Sequence, residues 1–265
     1  MAATALSDAD IEAAVRELDY AEHLRRPVAL TVGVEGLSVD DGYRIQRAWE
    51  QVRLDGGERR VGWKIGATSP ESQRALGFDE PMFGALLSST ELRNGESCPR
   101  AELIRPLCEA EVAFRMGVPL AGRECDVGAV LASTAALAGA IEIVDSRVAA
   151  EAVGPGCVVA DRGRAARFTV GEWVPLTAVA DTAAVAVKVL DGDREVATGR
   201  SDRVLGDPAR AVAWLVGALA RYGLGLEADD VVLAGSLAAP IPILGGERIR
   251  ALFDGPLGAV ELSFA

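Results

Sequence analysis

Histidine is almost absent from this chain. Among its 265 residues there is one histidine, His23, so a catalytic triad built on imidazole is excluded unless His23 itself takes part. His23 lies near the predicted end of the first helix, where a basic surface residue is ordinary. The sequence also lacks a phosphate-binding G-x-x-x-x-G-K-S/T loop, a dinucleotide-binding G-x-G-x-x-G motif after a strand and a G-x-S-x-G nucleophile elbow. Nucleotide-dependent and serine-hydrolase chemistry are therefore not indicated.

Cysteine is scarce as well. The four cysteines, Cys98, Cys108, Cys125 and Cys157, form no C-x-x-C pair, so zinc-ribbon and thioredoxin spacings are both absent. We expect isolated buried thiols in a reducing compartment.

Positive charge is in the minority. The chain has 27 Lys and Arg against 39 Asp and Glu, for a formal net charge of -12. Such a field repels nucleic-acid phosphates and anionic lipid, so neither is an expected partner, and an anionic substrate needs a local cation. No apolar run approaches the roughly 20 residues of a membrane span, and the acidic N-terminus is unlike a signal peptide. We therefore expect a cytoplasmic protein.

The first 58 residues predict a helical N-terminal portion. Ser7 can cap a helix over residues 8–23, with Asp10 at the position where a capping acid helps. Ser38 opens a second helix, with Asp41 placed similarly, and the residues Asp55-Gly56-Gly57 end it.

The remaining residues, 59–265, predict a body rich in hairpins. A strand begins at Arg60, and Phe78–Thr90 is expected to be a loop. Asp126 can cap a helix that runs to Leu137, and a strand from Ala140 to Val144 follows. In the last third of the chain, strands separated by Asp-Gly turns alternate with one helix that begins at Asp207-Pro208. The fold class predicted is α+β with mainly antiparallel strands.

Two glutamates share one face of a predicted strand. In the segment LCEAEVAF, alternation puts Glu109 and Glu111 on the same side, about 6.6 Å apart along the strand. Glu142 interrupts another apolar strand, AIEIV, where an unpaired carboxylate is costly. Three carboxylates suit a hard, oxygen-preferring cation such as Mg²⁺, Mn²⁺ or Ca²⁺. A surface-facing pair remains the alternative for Glu109 and Glu111.

Lys64 lies in a third apolar segment, VGWKIGATS. One interpretation is a structural lysine whose ammonium group reaches water. The other is a lysine whose pKa is lowered by burial, so that it can move a proton.

These segments resemble the 2-keto-4-pentenoate hydratase family, in the hydratase and decarboxylase branch of the fumarylacetoacetate hydrolase superfamily. They keep the family's order over nearly the whole chain. The matching segments are VGWKIGATSPESQRALG (61–77), EPMFGALL (80–87), IRPLCEAEVAF (104–114), AIEIVDSR (140–147), VLGDPARAVAWL (204–215) and DDVVLAGSL (229–237).

The resemblance implies a mixed β-roll with an N-terminal helical portion, and it implies roles for individual residues. Glu109, Glu111 and Glu142 would bind Mg²⁺ or Mn²⁺. Lys64 and Asp79 would be catalytic. The residues expected to contact the substrate are Ser236, Phe83 and Leu86. A homo-oligomer is implied as well.

The family's substrates are small 2-oxo acids or their dienols. The resemblance implies a lyase that adds water to a 2-hydroxy-2,4-dienoate through an enolate held by the metal, giving a 4-hydroxy-2-oxo acid. A decarboxylase of a 2-oxo-3-enedioate uses the same metal ligands, so these residues alone do not choose between the two. A non-catalytic homologue that binds a partner protein is a third alternative.

Three departures from the family pattern affect residues beyond the metal ligands. The family's Trp-Lys stretch is missing from the segment 148–168, Arg162 replaces the usual Asn, and Arg200 replaces a small residue. The added arginines predict either recognition of a second carboxylate or larger acid, or plain surface substitutions.

Overall fold

The computed structural model describes residues 6–33, 36–149 and 154–265, and six α-helices lie within them. The helices are α1 (Asp8–Leu24), α2 (Val39–Asp55), α3 (Pro70–Leu76), α4 (Val127–Ser133), α5 (Pro155–Ala160) and α6 (Pro208–Ala220). Among the described residues, no helix combines the length and the apolar composition that crossing a bilayer requires. Residues 150–153, within the divergent segment 148–168, lie outside the described residues.

The strands of the described residues form two sheets. They are β1 (Arg60–Gly66), β2 (Met82–Leu87), β3 (Ser97–Cys98), β4 (Leu107–Met116), β5 (Thr134–Val144), β6 (Ala165–Val170), β7 (Val174–Pro175), β8 (Ala186–Asp191), β9 (Arg194–Arg200), β10 (Val231–Ser236), β11 (Ile241–Pro242), β12 (Arg248–Phe253) and β13 (Ala259–Phe264).

The larger sheet has the order β2-β1-β10-β4-β5-β6, and two short strands extend it, β11 beside β4 and β7 beside β5. Its neighbours pair antiparallel except β1 and β10, which are parallel. The smaller sheet has the order β3-β13-β12-β8-β9. Mixed but mainly antiparallel sheets with separate helices confirm the predicted α+β class.

The two sheets pack on each other through β5. A Cβ atom added at Gly139 of β5 would lie 2.4 Å from the ring of Phe253 in β12, so glycine is what lets the sheets approach here. The main core forms between them and extends to α6, where Leu215 and Leu219 are fully buried.

The predicted N-terminal helices are confirmed, together with their caps. Ser7 and Asp10 form a complete capping box at the start of α1, and the Ser38 side chain accepts a hydrogen bond from the Asp41 amide at the start of α2. These helices pack on α5 through a core of their own that includes Leu18. The division of the chain at residue 58 stays a prediction.

Two predicted elements are wrong. Phe78–Thr90 is not a loop throughout, because Met82–Leu87 forms β2, in which every residue is buried. A strand covered on both faces shows no alternation, so the pattern that marks a strand is missing from its sequence. The helix after Asp126 ends at Ser133 instead of reaching Leu137, since Leu137 pairs with Phe114 in the sheet. Tertiary pairing overrides the helix preference of the alanine-rich run.

A buried charge cluster joins the N-terminal helices to the rest of the chain. Glu22 of α1 lies 2.8 Å from the Arg53 guanidinium and 2.9 Å from that of Arg162, with Arg147 3.7 Å away. The Arg162 guanidinium also lies over the Trp49 ring, 4.3 Å from its centroid. Burial opposes the charged form of Glu22, but the guanidinium groups around it lower its pKa to about 2.

We predict that Glu22→Gln lowers the free energy of unfolding by about 2 kcal/mol at pH 7. Because the pKa of folded Glu22 lies below its ordinary value of 4.5, its carboxylate stabilises the fold above that pH, and this contribution is lost as the pH falls towards 2. Urea unfolding of both proteins between pH 7 and pH 3.5 measures the difference, which should shrink below pH 4.5.

The matched control is Glu12→Gln, which removes a carboxylate of the same helix from an exposed pair with Arg16. It should change stability little at any pH, because exposed ion pairs contribute little. A difference between wild type and Glu22→Gln that is independent of pH would contradict the role of the Glu22 charge.

Candidate active site

Two neighbouring strands bring the three glutamates together. Glu109 of β4 and Glu142 of β5 are direct cross-strand partners, and Glu111 follows two residues later on the same face of β4. One carboxylate oxygen of each glutamate lies within 4.8 Å of those of the other two. The three glutamates therefore form a single cluster, although Glu142 is far from the other two along the sequence.

The cluster is buried and short of hydrogen-bond donors. Glu111 and Glu142 are fully buried, whereas Glu109 is half-buried. The Oε1 atoms of Glu111 and Glu142 have no hydrogen-bond partner among the described residues. Buried carboxylate oxygens without partners are costly, and a divalent cation that prefers oxygen ligands matches this donor set.

Burial raises the pKa of all three carboxyl groups. It raises that of Glu109 to about 7 and that of Glu111 well above its ordinary value, with the charge of Glu142 acting in the same direction on both. The Lys64 ammonium opposes this rise at each of the three glutamates. Protons therefore compete with a cation for this cluster.

Lys64 of β1 supplies the neighbouring positive charge. Its Nζ atom lies 2.9 Å from Oε2 of Glu142, and the side chain is only 2% exposed. Burial disfavours the ammonium ion, but the carboxylates of Glu142, Glu109 and Glu111 outweigh it and raise the pKa of Lys64. The ammonium thus neither reaches water nor has the lowered pKa that burial alone suggested. Lys64 is a fixed positive charge at the site.

An irregularity near the end of strand β10 supplies a hydrogen bond to Glu111. The pairing of β10 with β4 shifts register between Leu233 and Ser236, and at this irregularity the Gly235 amide donates to Oε2 of Glu111 over 2.7 Å. Gly235 has a φ of 120°, and a Cβ atom there would lie 2.4 Å from Oγ1 of Thr68. Only glycine fits this position.

A cavity of about 310 Å³ opens beside the cluster. Lys64 and Glu109 line it from the sheet, and Ser236 lines it from the end of β10, where its hydroxyl donates to the Ala238 carbonyl over 3.0 Å. The helix α3 covers part of the cavity with Ser72 and Leu76. Five predicted site residues thus meet at one place: Lys64, Glu109, Glu111, Glu142 and Ser236.

The structure does not bring three other predicted residues to this cavity. Phe83 is buried in the core, where its ring stacks on Tyr43 with the centroids 4.4 Å apart. Leu86 is buried in a separate cluster with Phe168. Asp79 is exposed and lies outside the cavity lining. Because β2 is a covered strand, its side chains pack inward, and Met82 is its residue that reaches the cavity.

The arginines that sequence analysis singled out also lie elsewhere. Arg162 is buried against Glu22 and Trp49, and Arg200 is exposed beside Asp202. Instead, Arg164 and Arg203 line the cavity. The sequence thus indicated added arginines close to these two positions, at Arg162 and Arg200, but not the two arginines that line the cavity.

Comparison with protein-family models finds none that matches. The chain is 36% identical over 222 residues to the 2-keto-4-pentenoate hydratase of Burkholderia vietnamiensis, covering 84% of each protein. The chain belongs to the 2-keto-4-pentenoate hydratase family. It is also 35% identical over 230 residues to the 2-hydroxyhexa-2,4-dienoate hydratase of Comamonas testosteroni, covering 86% of this chain and 87% of that one.

Among solved structures, the chain is similar to 4-oxalocrotonate decarboxylase from Pseudomonas putida G7, crystallised with magnesium and adipate. The TM-score is 0.94 at 27% identity, over 98% of this chain and 99% of that one. This likeness confirms the predicted fold, a fumarylacetoacetate hydrolase-like β-roll with an N-terminal helical portion.

We predict that Glu109→Gln weakens Mg²⁺ or Mn²⁺ binding at least about tenfold, because even residues that only support a metal ligand are worth roughly 10- to 100-fold in affinity. Isothermal titration of the purified chain with each cation measures the effect. Glu102→Gln, which alters an exposed glutamate paired with Arg167, serves as the matched control. Unchanged cation affinity in Glu109→Gln would remove Glu109 from the metal ligands.

Proposed function

We propose that this chain is a divalent-metal-dependent lyase that adds water to a 2-hydroxy-2,4-dienoate, giving a 4-hydroxy-2-oxo acid. Glu109, Glu111 and Glu142 would hold the cation, Mg²⁺ or Mn²⁺. The observation that carries the proposal is the cluster of three carboxylates with Lys64 beside a cavity that Lys64 and Glu109 line. The names of the family relatives, which are hydratases of this substrate class, support it.

The donor set fits the proposed cation. Carboxylate oxygens are the ligands that Mg²⁺ and Mn²⁺ prefer. Among the described residues, Oε1 of Glu111 and Oε1 of Glu142 are buried with neither a hydrogen bond nor an ion pair. When bound, the cation would supply positive charge for the carboxylate and the 2-oxygen of the substrate.

The chain's own residues then handle the rest of the charge and the protons. Hydration requires that the 2-hydroxyl loses a proton while C5 gains one, after which water adds at C4 and a proton is added at C3. Lys64, held as an ammonium ion beside Glu142 on the cavity lining, would stabilise negative charge on the 2-oxygen. The Ser236 hydroxyl, at the cavity wall, would exchange its hydrogen bond to the Ala238 carbonyl for one to the substrate carboxylate. Proton transfer by Asp79 rests on the family resemblance and stays a prediction.

Decarboxylation of a 2-oxo-3-enedioate is the second candidate. The likeness to 4-oxalocrotonate decarboxylase over nearly the whole chain favours it. The same positive charges would accept the electron pair that a departing carboxylate leaves behind. Both reactions use a small 2-oxo acid or dienol. A homo-oligomer and a cytoplasmic location likewise stay predictions.

We predict water gain as the reaction. The purified chain with Mg²⁺ is incubated with a 2-hydroxy-2,4-dienoate and, separately, with a 2-oxo-3-enedioate, and products are identified by mass. A product heavier by one water supports hydration, whereas loss of CO₂ from the enedioate supports the second candidate. If neither acid is consumed by the metal-loaded chain, both candidate activities are wrong.

We predict that Lys64→Met slows turnover by about 100-fold or more while sparing cation binding, because it removes a preorganised positive charge and no metal ligand. Comparing kcat with the Mg²⁺ affinity from titration separates the two effects. Lys188→Met, which changes a lysine of an exposed ion pair with Glu195, should alter neither quantity. An unchanged kcat in Lys64→Met would contradict the role of Lys64.

A further inference from the structure

Arg164 reaches the cavity because the chain reverses sharply after α5. Arg162, Gly163 and Arg164 all have left-handed backbones, with φ values of 51°, 61° and 65°. Such a run is unfavourable for residues with side chains and persists where the surroundings require it. Because of this backbone path, the two arginines on either side of Gly163 point to different places, Arg162 towards Glu22 and Arg164 into the cavity.

The Arg164 side chain makes no hydrogen bond or ion pair among the described residues, and its Nε atom is buried. The Nε atom of Arg162 also lacks a hydrogen-bond partner there, but the Arg162 guanidinium is ion-paired with Glu22 and stacked on Trp49. A partly buried guanidinium without a bound anion is costly, and a carboxylate is its natural partner because the two match in shape and charge.

Arg203 also lines the cavity, and among the described residues its guanidinium has only an exposed ion-pair partner. Its Nη2 atom is 2.8 Å from Oε2 of Glu71, but the two side chains are 38% and 73% exposed. Such an exposed pair contributes little, so the guanidinium is available to a ligand that enters the cavity. Arg164 and Arg203 therefore bring two guanidinium groups to the lining of one cavity.

The two arginine side chains are more positive charge than a dienoate with one carboxylate needs. The metal ion held by the three glutamates, together with Lys64, would bind the substrate's carboxylate and 2-oxygen. The guanidinium groups of Arg164 and Arg203 then remain in the cavity without an assigned ligand, in a protein of net charge -12. A cavity of about 310 Å³ lies at the small end of the range for small-molecule sites, which suits a short-chain acid.

From this geometry, and resting on the proposed function, we propose that Arg164 and Arg203 bind a second, distal carboxylate of the substrate. The substrate class is then a dicarboxylic 2-oxo acid or its dienol.

The test compares two six-carbon acids that differ only at the distal end, 2-oxoadipate and 2-oxohexanoate. Titration of the Mg²⁺-loaded chain should give about tenfold or more tighter binding of 2-oxoadipate, as expected for a charged group that gains paired hydrogen bonds. Arg164→Met and Arg203→Met should each reduce this preference severalfold while leaving 2-oxohexanoate binding and Mg²⁺ affinity nearly unchanged. Arg164→Lys should retain part of the preference.

Arg200→Met is the matched control, because Arg200 is exposed outside the cavity, and it should keep the full preference. Equal affinity of wild type for the two acids would overturn the inference and leave the proposed function standing. Equal loss of both acids in Arg164→Met and Arg203→Met would also overturn it, since the arginines would then serve the common end of the ligand. Failure of both acids to bind in a Mg²⁺-dependent way would overturn the proposed function as well.

Discussion

The site is organised around the buried ion pair between Lys64 and Glu142, in which Nζ and Oε2 lie 2.9 Å apart. Three neighbouring glutamates that are largely shielded from solvent repel one another, and a single ammonium ion cannot neutralise all three carboxylates. Among the described residues, Oε1 of Glu111 and Oε1 of Glu142 have neither a hydrogen bond nor an ion pair. The site is therefore electrostatically incomplete, and its deficit of positive charge is what a cation and the charged groups of an incoming substrate would fill.

The order of strands in the larger sheet is what makes this arrangement possible. Lys64, Gly235, Glu111 and Glu142 come from four adjacent strands, β1, β10, β4 and β5. The regular pairing of β4 with β5 sets Glu109 opposite Glu142, whereas the irregular end of β10 turns a backbone amide towards Glu111. Regular pairing positions the charges, and one local distortion gives Glu111 a single hydrogen bond. The rigidity of the sheet therefore preorganises the site.

Sequence reasoning reached the metal end of the site because its signals are local. Carboxylates at Glu109, Glu111 and Glu142 break apolar strands, and breaking an expected pattern is itself information. Phe83 and Leu86 belong to a strand covered on both faces, and an unbroken apolar run does not say which side chains face a cavity. The position of Arg164 depends on three consecutive left-handed residues, a backbone path that no periodicity predicts.

This difference separates what the fold fixes from what it leaves open. The cluster on β4 and β5 is tied to strand register, and a shift of one residue would turn its carboxylates to the opposite face. Arg164 and Arg203 lie instead on a turn and a short helical segment beside the cavity, where a substitution changes the charge without disturbing a ladder. On the proposed function, recognition of the carboxylate and 2-oxygen would belong to the sheet, and choice among acids would belong to the connections. A change of substrate within one scaffold would then require only new side chains on these connections, because the charges proposed to stabilise the reacting end stay where the strands hold them.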